Sequence, residues 1–436
     1  MYSVNDTHSS VIFVDTPTTG DHTQRRICKH AIPTQGHRVF SCCGMCSWMV
    51  LPLMLLTWQA GVAKYHRFCY FAGWARYRAA PMAFNPEDVD VKLCTHLAYA
   101  FATVDDSGTQ IVPADRLDDP VMYKRFTDLK KEAPGLKLLL SVGGWDDSPR
   151  VFSNLVSSVN NINTFAGNTI SFLRSRNFDG LDVDWEFPAD RGSPRSDKLR
   201  FTRMIQLIRE AFDTEASRTG KDRLLLTAAL SPGRYQVRLS YEPVKLASYL
   251  DLINLMTYDM HGIWDGLNTA AHHSALYGTR SDRTRNVDFA ATYWTDLGVP
   301  RDKILLGVPF YSRTYTLSGG RVSGPGRAGN YTRHSGTLAY FEVCKILQDG
   351  ATGQRIHAQK VPYLVSKDQW VGYDDQKSLA AKVNYIVDHG FGGVMVWALD
   401  MDDFKGICGK AFPLMNAVNR AFKTLTKRRR YSPLFG

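Results

Sequence analysis

Asp182, Asp184 and Glu186 occupy alternate positions in the segment DGLDVDWE, residues 179–186. On a β-strand, a spacing of two puts all three on one face. Leu181, Val183 and Trp185 then take the opposite face. Like-charged carboxyls crowded together in a buried place cannot all ionise. They share protons, and their titration belongs to the group. A carboxyl kept protonated near neutral pH is what a general acid needs. The segment therefore predicts acid–base chemistry, with Glu186 at the C-terminal end of the strand. Asp179 is off the shared parity and is expected to support the start of the strand.

The elements that must position these acids are legible as short apolar, β-rich runs. Eight occur: His66–Trp74, His96–Val104, Lys137–Trp145, Gly180–Glu186, Arg223–Ser231, Leu252–Met260, Lys303–Tyr311 and Gly392–Asp400. Helical patterns lie between or after them at Val121–Glu132, Thr164–Arg176, Asp197–Ala216, Val287–Leu297 and Phe412–Leu425. Continuous apolar strands alternating with helices predict a parallel sheet covered on its outer face. Eight such units predict an α/β fold, a (β/α)8 TIM barrel. Catalytic residues collect at the C-terminal ends of barrel strands, which disfavours reading the acids as a solvated strand edge. About eighty residues separate the seventh and eighth runs, more than one helix needs. Residues 312–372 are read as a small α+β insertion walling one side of the mouth, followed by a helix from about Asp375 to His389.

The chain has 436 residues and a formal net charge of +11. Part of the excess lies in the ends, at Arg25, Arg26, Lys29 and Arg38 and in the tail from Lys423. No zinc-finger or RNA-binding pattern accompanies it, so no nucleic-acid partner is expected. Residues 1–64 read as an N-terminal extension, 65–422 as the barrel and 423–436 as a basic tail, whose KRRRYSPLFG, residues 427–436, reads as unstructured. Met45–Ala63 carries no charged residue, and the apolar run extends back to Val39. It is either a cleaved signal ending at Ala63 or a retained type II anchor. Both place the barrel outside the cytoplasm, where four spread cysteines would suit two disulfides. Asn330-Tyr-Thr is a glycosylation sequon in the insertion, and Asn5-Asp-Thr is a second. The acids of MDDF, residues 401–404, read as solvated loop acids rather than a cation site. No cofactor or metal is called for, and a monomer is expected.

DGLDVDWE resembles the DxxDxDxE signature of the family-18 chitinases. SVGGW (141–145), MTYD (256–259) followed by HGIWDG, VPFYSR, GGVMVWALDMDDF and CYFAGWARYR resemble that family's other strand motifs. The resemblance covers roughly Tyr65 to Phe422. It implies a chitinase cutting β-1,4-linked N-acetylglucosamine polymers, expected to be endo-acting, with chitin or chito-oligosaccharides as partners. The family's mechanism is retaining and substrate-assisted, with no protein nucleophile. It implies Glu186 as acid and base and Asp184 on the acetamido N–H, with Asp182 sharing a proton or charge with Asp184. Tyr258 would bond the acetamido oxygen, and Asp259 and Arg313 would contact sugar. Trp397 resembles the floor beneath the distorted sugar, and Trp74, Trp145 and, more weakly, Tyr70 resemble cleft platforms. Met256 and Tyr311 would line the subsite, a reading evenly matched by core packing. Gly143 and Gly144 would allow close backbone approach. The resemblance also pairs Cys69 with Cys94 and Cys344 with Cys408. Phe187, SPGRY after the fifth strand and GPGRAGNYTRHSGTLAY depart from the family pattern. The rival reading is a chitinase-like lectin, a class that generally lacks the catalytic glutamate. A membrane-displayed structural or signalling protein is a third.

Overall fold

The computed structural model describes residues 65–266 and 269–431. Eight parallel strands form the barrel: His66–Ala72, His96–Val104, Lys137–Gly143, Gly180–Asp184, Leu225–Leu230, Leu252–Leu255, Ile304–Pro309 and Gly393–Trp397. Each pairs with the next, and the eighth pairs with the first, His66 opposite Gly393, so the sheet closes. A short strand, Ile111–Pro113, adds antiparallel to the second.

Strand parity divides the core in two. Phe68, Tyr70, Ala98, Leu139, Leu305 and Met395 fill the barrel interior. Cys69, Phe71, Leu181, Val183 and Trp185 face outward into the layer beneath the helices. The expected parity of the acidic strand holds: Asp182 and Asp184 point inward and are buried.

The second strand keeps its expected bounds, and the other seven are shorter than expected, chiefly at the C-terminal end. Trp74, Trp145, Glu186, Met256 to Met260 and Asp400 lie past the last paired residue. Tyr311 instead begins another strand. Aromatic and apolar residues at a barrel mouth mimic the strand pattern, yet they belong to loops that bend away from the ladder.

Helices cover the outside. Asp197–Thr219 stops at Gly220, whose φ of +68° provides a left-handed cap. The Asn286 side chain accepts from Phe289 N at 2.9 Å and starts Val287–Asp296. The helix expected over Val121–Glu132 is divided into a wide π-helical turn, Asp118–Met122, a single α-helical stretch, Tyr123–Thr127, and a tighter 3-10 turn, Asp128–Lys131. Between the seventh and eighth strands the chain builds a second, six-stranded sheet. It runs from Tyr311–Ser318 to Gln369–Gly372 and carries the helix Tyr340–Gln348.

Disulfides join Cys69 to Cys94 and Cys344 to Cys408. Two expectations are overturned. The last helix runs Pro413–Tyr431, so much of the basic tail is helical. It continues because Lys and Arg are good helix formers and no Pro or Gly interrupts them before Pro433. The MDDF acids are not solvated: Asp402 and Asp403 are fully buried. Asp402 accepts from Leu414 N at 3.2 Å and Met415 N at 2.9 Å, satisfying the start of the last helix. Asp403 accepts from Ile407 N and Cys408 N, both at 2.8 Å.

Among the described residues, no helix is long and apolar enough to cross a membrane. The apolar segment of residues 39–63, with the rest of the N-terminal extension and Asn5, lies outside the described residues.

Candidate active site

The acidic strand enters between the third and fifth strands. Ser141 is registered beside Asp182 on one side and Thr227 on the other. Both donate to its carboxylate, Ser141 Oγ to Oδ2 at 2.7 Å and Thr227 Oγ1 to Oδ1 at 2.5 Å. Tyr70 Oη donates to Oδ2 at 2.7 Å, and Asn254 Nδ2 to Oδ1 at 3.1 Å. Four donors from four strands thus fill the Asp182 carboxylate. Burial pushes its pKa up, and the four donors oppose this without reversing it.

Asp184 is held differently. It is buried, and its Oδ1 has no hydrogen-bond partner among the described residues. Burial first, then the charges of Glu186 and Asp182, raise its carboxyl well above the usual range. Glu186 follows at the mouth, half-buried. Burial pushes its carboxyl up to about 8; the Asp259 charge adds to this and Arg191 opposes it. The two carboxyls titrate as a pair.

Gly143 and Gly144 make room for this strand. Gly143 has a φ of +110°, and a Cβ there would lie 2.3 Å from Asp184 O. Gly144 has a φ of +95°, and its Cβ would strike the Phe101 ring at 2.5 Å. Side chains at both positions are excluded twice, by conformation and by space. At the opposite end, Asp179 Oδ2 accepts from Leu138 N at 2.7 Å and Oδ1 pairs with Lys130 at 2.9 Å. It fixes the start of the strand, far from the mouth.

Tyr258 is buried beside the acids, its hydroxyl 3.7 Å from Met395 Sδ. Burial and the neighbouring carboxylates raise its pKa far above the ordinary phenol value, so it stays a donor. Asp259 has a φ of +53°, unusual for a side-chain-bearing residue. Its carboxylate takes both Arg313 Nε at 2.7 Å and Nη2 at 2.6 Å, a bidentate clamp, with His273 Nδ1 at 3.3 Å. Burial works against its charge, but Arg313 and His273 hold its pKa well below the usual range. Met256 and Tyr311 are mostly buried at the top of the inner core, and Tyr311 meets Tyr258 edge-on at 6.0 Å.

An aromatic floor crosses the mouth. Trp397 stacks on Phe101 at 5.6 Å, and Trp74 stacks on the same ring at 5.9 Å. Trp74 and Trp145 are exposed. Tyr70 is not a platform. It is fully buried beneath Trp397, at 5.1 Å, with its hydroxyl committed to Asp182.

Sequence reasoning missed several of these groups. Thr227 and Asn254 carried a signal: each is a polar residue at an inward position of an apolar strand. Phe101 and Arg191 carried none. Arg191 lies over the Trp145 ring at 3.9 Å and donates to Trp145 O and Glu186 O at 2.8 and 2.9 Å. It clips the exposed indole to the end of the acidic strand. Trp264, with Arg313 over its ring at 4.9 Å, sits within the quoted HGIWDG but was not singled out.

One prediction concerns stability. Thr227→Val keeps shape but removes a donor to a buried carboxylate. Chemical denaturation is expected to show a loss of about 1.5–3 kcal/mol.

A closed barrel with inward carboxyls at its C-terminal mouth and an aromatic floor is the build of a glycoside-processing barrel. Residues 66–402 match the sequence model of the glycosyl hydrolases family 18, and the chain belongs to that family. It is 42% identical to Chitotriosidase-1 of Mus musculus over 384 residues, 85% of this chain and 80% of the relative. Among solved structures it resembles the immunomodulatory active chitinase TsES1 of Trichuris suis, at 36% identity and a TM-score of 0.78. That match covers 82% of this chain and 100% of the other. It equally resembles human YKL-39, described as a pseudo-chitinase with retained chitooligosaccharide binding, at 40% identity and a TM-score of 0.78. There the coverage is 83% of this chain and 100% of that one.

Proposed function

We propose that this chain hydrolyses β-1,4-N-acetylglucosamine linkages in chitin or chito-oligosaccharides by substrate-assisted, retaining catalysis. The observation that carries this reading is a Glu186 carboxyl at the strand end, pushed up to about 8 by burial, next along the inward face from a buried Asp184 whose Oδ1 has no partner among the described residues. A buried acceptor without a donor calls for one from the ligand, and the acetamido N–H of the sugar supplies it. Tyr258 donates to the acetamido oxygen and aims it at the anomeric carbon. Glu186 gives its proton to the glycosidic oxygen, the acetamido oxygen attacks, and the leaving sugar departs. Asp184 stabilises the oxazolinium ion so formed. Glu186, now ionised, takes a proton from a water whose oxygen attacks the anomeric carbon, breaking its bond to the acetamido oxygen and reopening the ring. Trp397, Trp74 and Trp145 offer flat faces to sugar C–H surfaces, and Asp259 and Arg313 offer polar contacts.

A family relative with binding but no catalysis makes the lectin the second reading. Glu186, Asp184, Asp182 and Tyr258 together favour the enzyme. Incubation with chito-oligosaccharides, followed by product analysis and a binding measurement, separates the two. Turnover supports the enzyme; binding without turnover supports the lectin.

The pH dependence follows from Glu186. Its acid role needs the protonated form, so kcat/KM is expected to hold at neutral pH and fall as pH rises through about 8. A profile falling on its alkaline side near pH 5 contradicts that assignment.

The two disulfides favour an oxidising, extracellular location for the barrel, whether secreted or anchored. Asn330 is exposed and directly precedes two anchored residues: Tyr331 N and Thr332 N both donate to Glu342. Export is expected to leave Asn330 glycosylated. Peptide mapping after glycosidase treatment reads this directly, and an unmodified Asn330 in disulfide-bonded protein counts against it.

A further inference from the structure

The last helix, Pro413–Tyr431, uses its apolar face in the core, where Leu414, Met415, Val418 and Phe422 are buried. Beside it lies a hollow of about 360 Å³, shared with the helix Gln376–His389. Lys377, Asn384, Arg420 and Thr424 are among its walls. A second hollow of about 620 Å³ borders the insertion helix Tyr340–Gln348 and reaches Lys410 and Asn416. Gln376 and Arg420 line both, so the two form one trough along the outside of the barrel. The substrate cleft is built elsewhere, from the strand ends.

The chemistry of the trough is one-sided. Among the described residues, no Asp or Glu lines either hollow. Lys377, Lys410 and Arg420 are exposed, and none has an ion pair among the described residues. The sequence extends the same bias. From Phe404 to the C-terminus there are eight lysines and arginines and no acid, against a net charge of +11 for the whole chain. Positions 420, 423, 427 and 430 recur at the spacing of one row along a helix. Unpaired cations along a concave surface focus a positive potential into it. Gln348, Gln376, Asn384 and Asn416 add amides, which both donate and accept hydrogen bonds as sugar hydroxyls do.

We propose that this trough binds a linear anionic polysaccharide, one whose sugars carry sulfate or carboxylate groups, at a site separate from the substrate cleft. A membrane surface fits less well. A helix that lies in a bilayer interface must offer its apolar face, and here that face is buried in the core. A concave trough also suits a chain better than a plane.

The test uses the full chain with heparin as a sulfated probe and neutral dextran as control. Heparin is expected to bind and dextran not, with affinity falling at least about tenfold as salt rises from 50 to 200 mM. The triple variant Lys377→Glu, Lys410→Glu, Arg420→Glu is expected to weaken heparin binding at least about tenfold. Its binding and turnover of chito-oligosaccharides should stay at the parent level. If the triple variant melts early, Lys410→Gln with Arg420→Gln removes charge more gently and is expected to weaken binding in the same direction. Absence of heparin binding by the parent overturns the proposal. So does equal binding by a folded variant, or binding to phosphatidylserine vesicles without binding to heparin. Heparin binding is read without any hydrolysis, so it stands or falls independently of the catalytic reading.

Discussion

Glu186→Gln is expected to abolish turnover of chito-oligosaccharides while leaving their binding intact. The substitution keeps size and hydrogen-bonding reach but removes the transferable proton. Positioned general acids contribute about 10²–10⁴-fold. Glu186 acts twice, as acid and then as base, which places the loss toward the upper end. Binding survives because Trp397, Trp74, Trp145 and the Asp259–Arg313 pair are untouched. The measurement is kcat from product release beside a dissociation constant from calorimetry. A variant retaining a tenth of the parent's kcat removes Glu186 from the acid role.

Asp184→Asn is expected to cost nearly as much, by a different route. The asparagine still offers an oxygen to the acetamido N–H, but it cannot supply charge. Stabilisation of a developing charge by one such group is worth about 10²–10³ in kcat. A second readout separates this from simple misplacement. The Glu186 charge helps to raise the Asp184 carboxyl, but Glu186 itself is raised by burial and the Asp259 charge, with Arg191 opposing. All of these survive the change, so the alkaline limb of the pH profile should stay near its parent position. A loss of rate with a displaced limb points to a disturbed Glu186 environment instead.

The barrel was legible because its information is local. Period-two runs of apolar residues mark buried strands, and the alternate acids of residues 182–186 mark an inward face. Strand ends were overrun because the aromatic mouth residues look like strand in sequence. Thr227 and Asn254 were visible as polar interruptions, yet only the closed barrel shows that both converge on Asp182. Tyr70 was misread because an aromatic near a strand end fits platform and core equally; its burial beneath Trp397 decides. Arg191 reaches Trp145 and the Glu186 carbonyl from a separate loop, and no spacing rule links them. Asp402 and Asp403 were misread for a related reason. A run of loop acids looks solvated until the backbone N–H groups it satisfies are brought to it by the fold.

The most direct test of the central claim is proton NMR of the first products from chitotetraose or a longer oligomer. Substrate-assisted retention predicts that the new reducing end appears first as the β-anomer and only later equilibrates. An α-anomer first contradicts the mechanism, and a folded chain that binds the oligomer without releasing any product contradicts the enzyme.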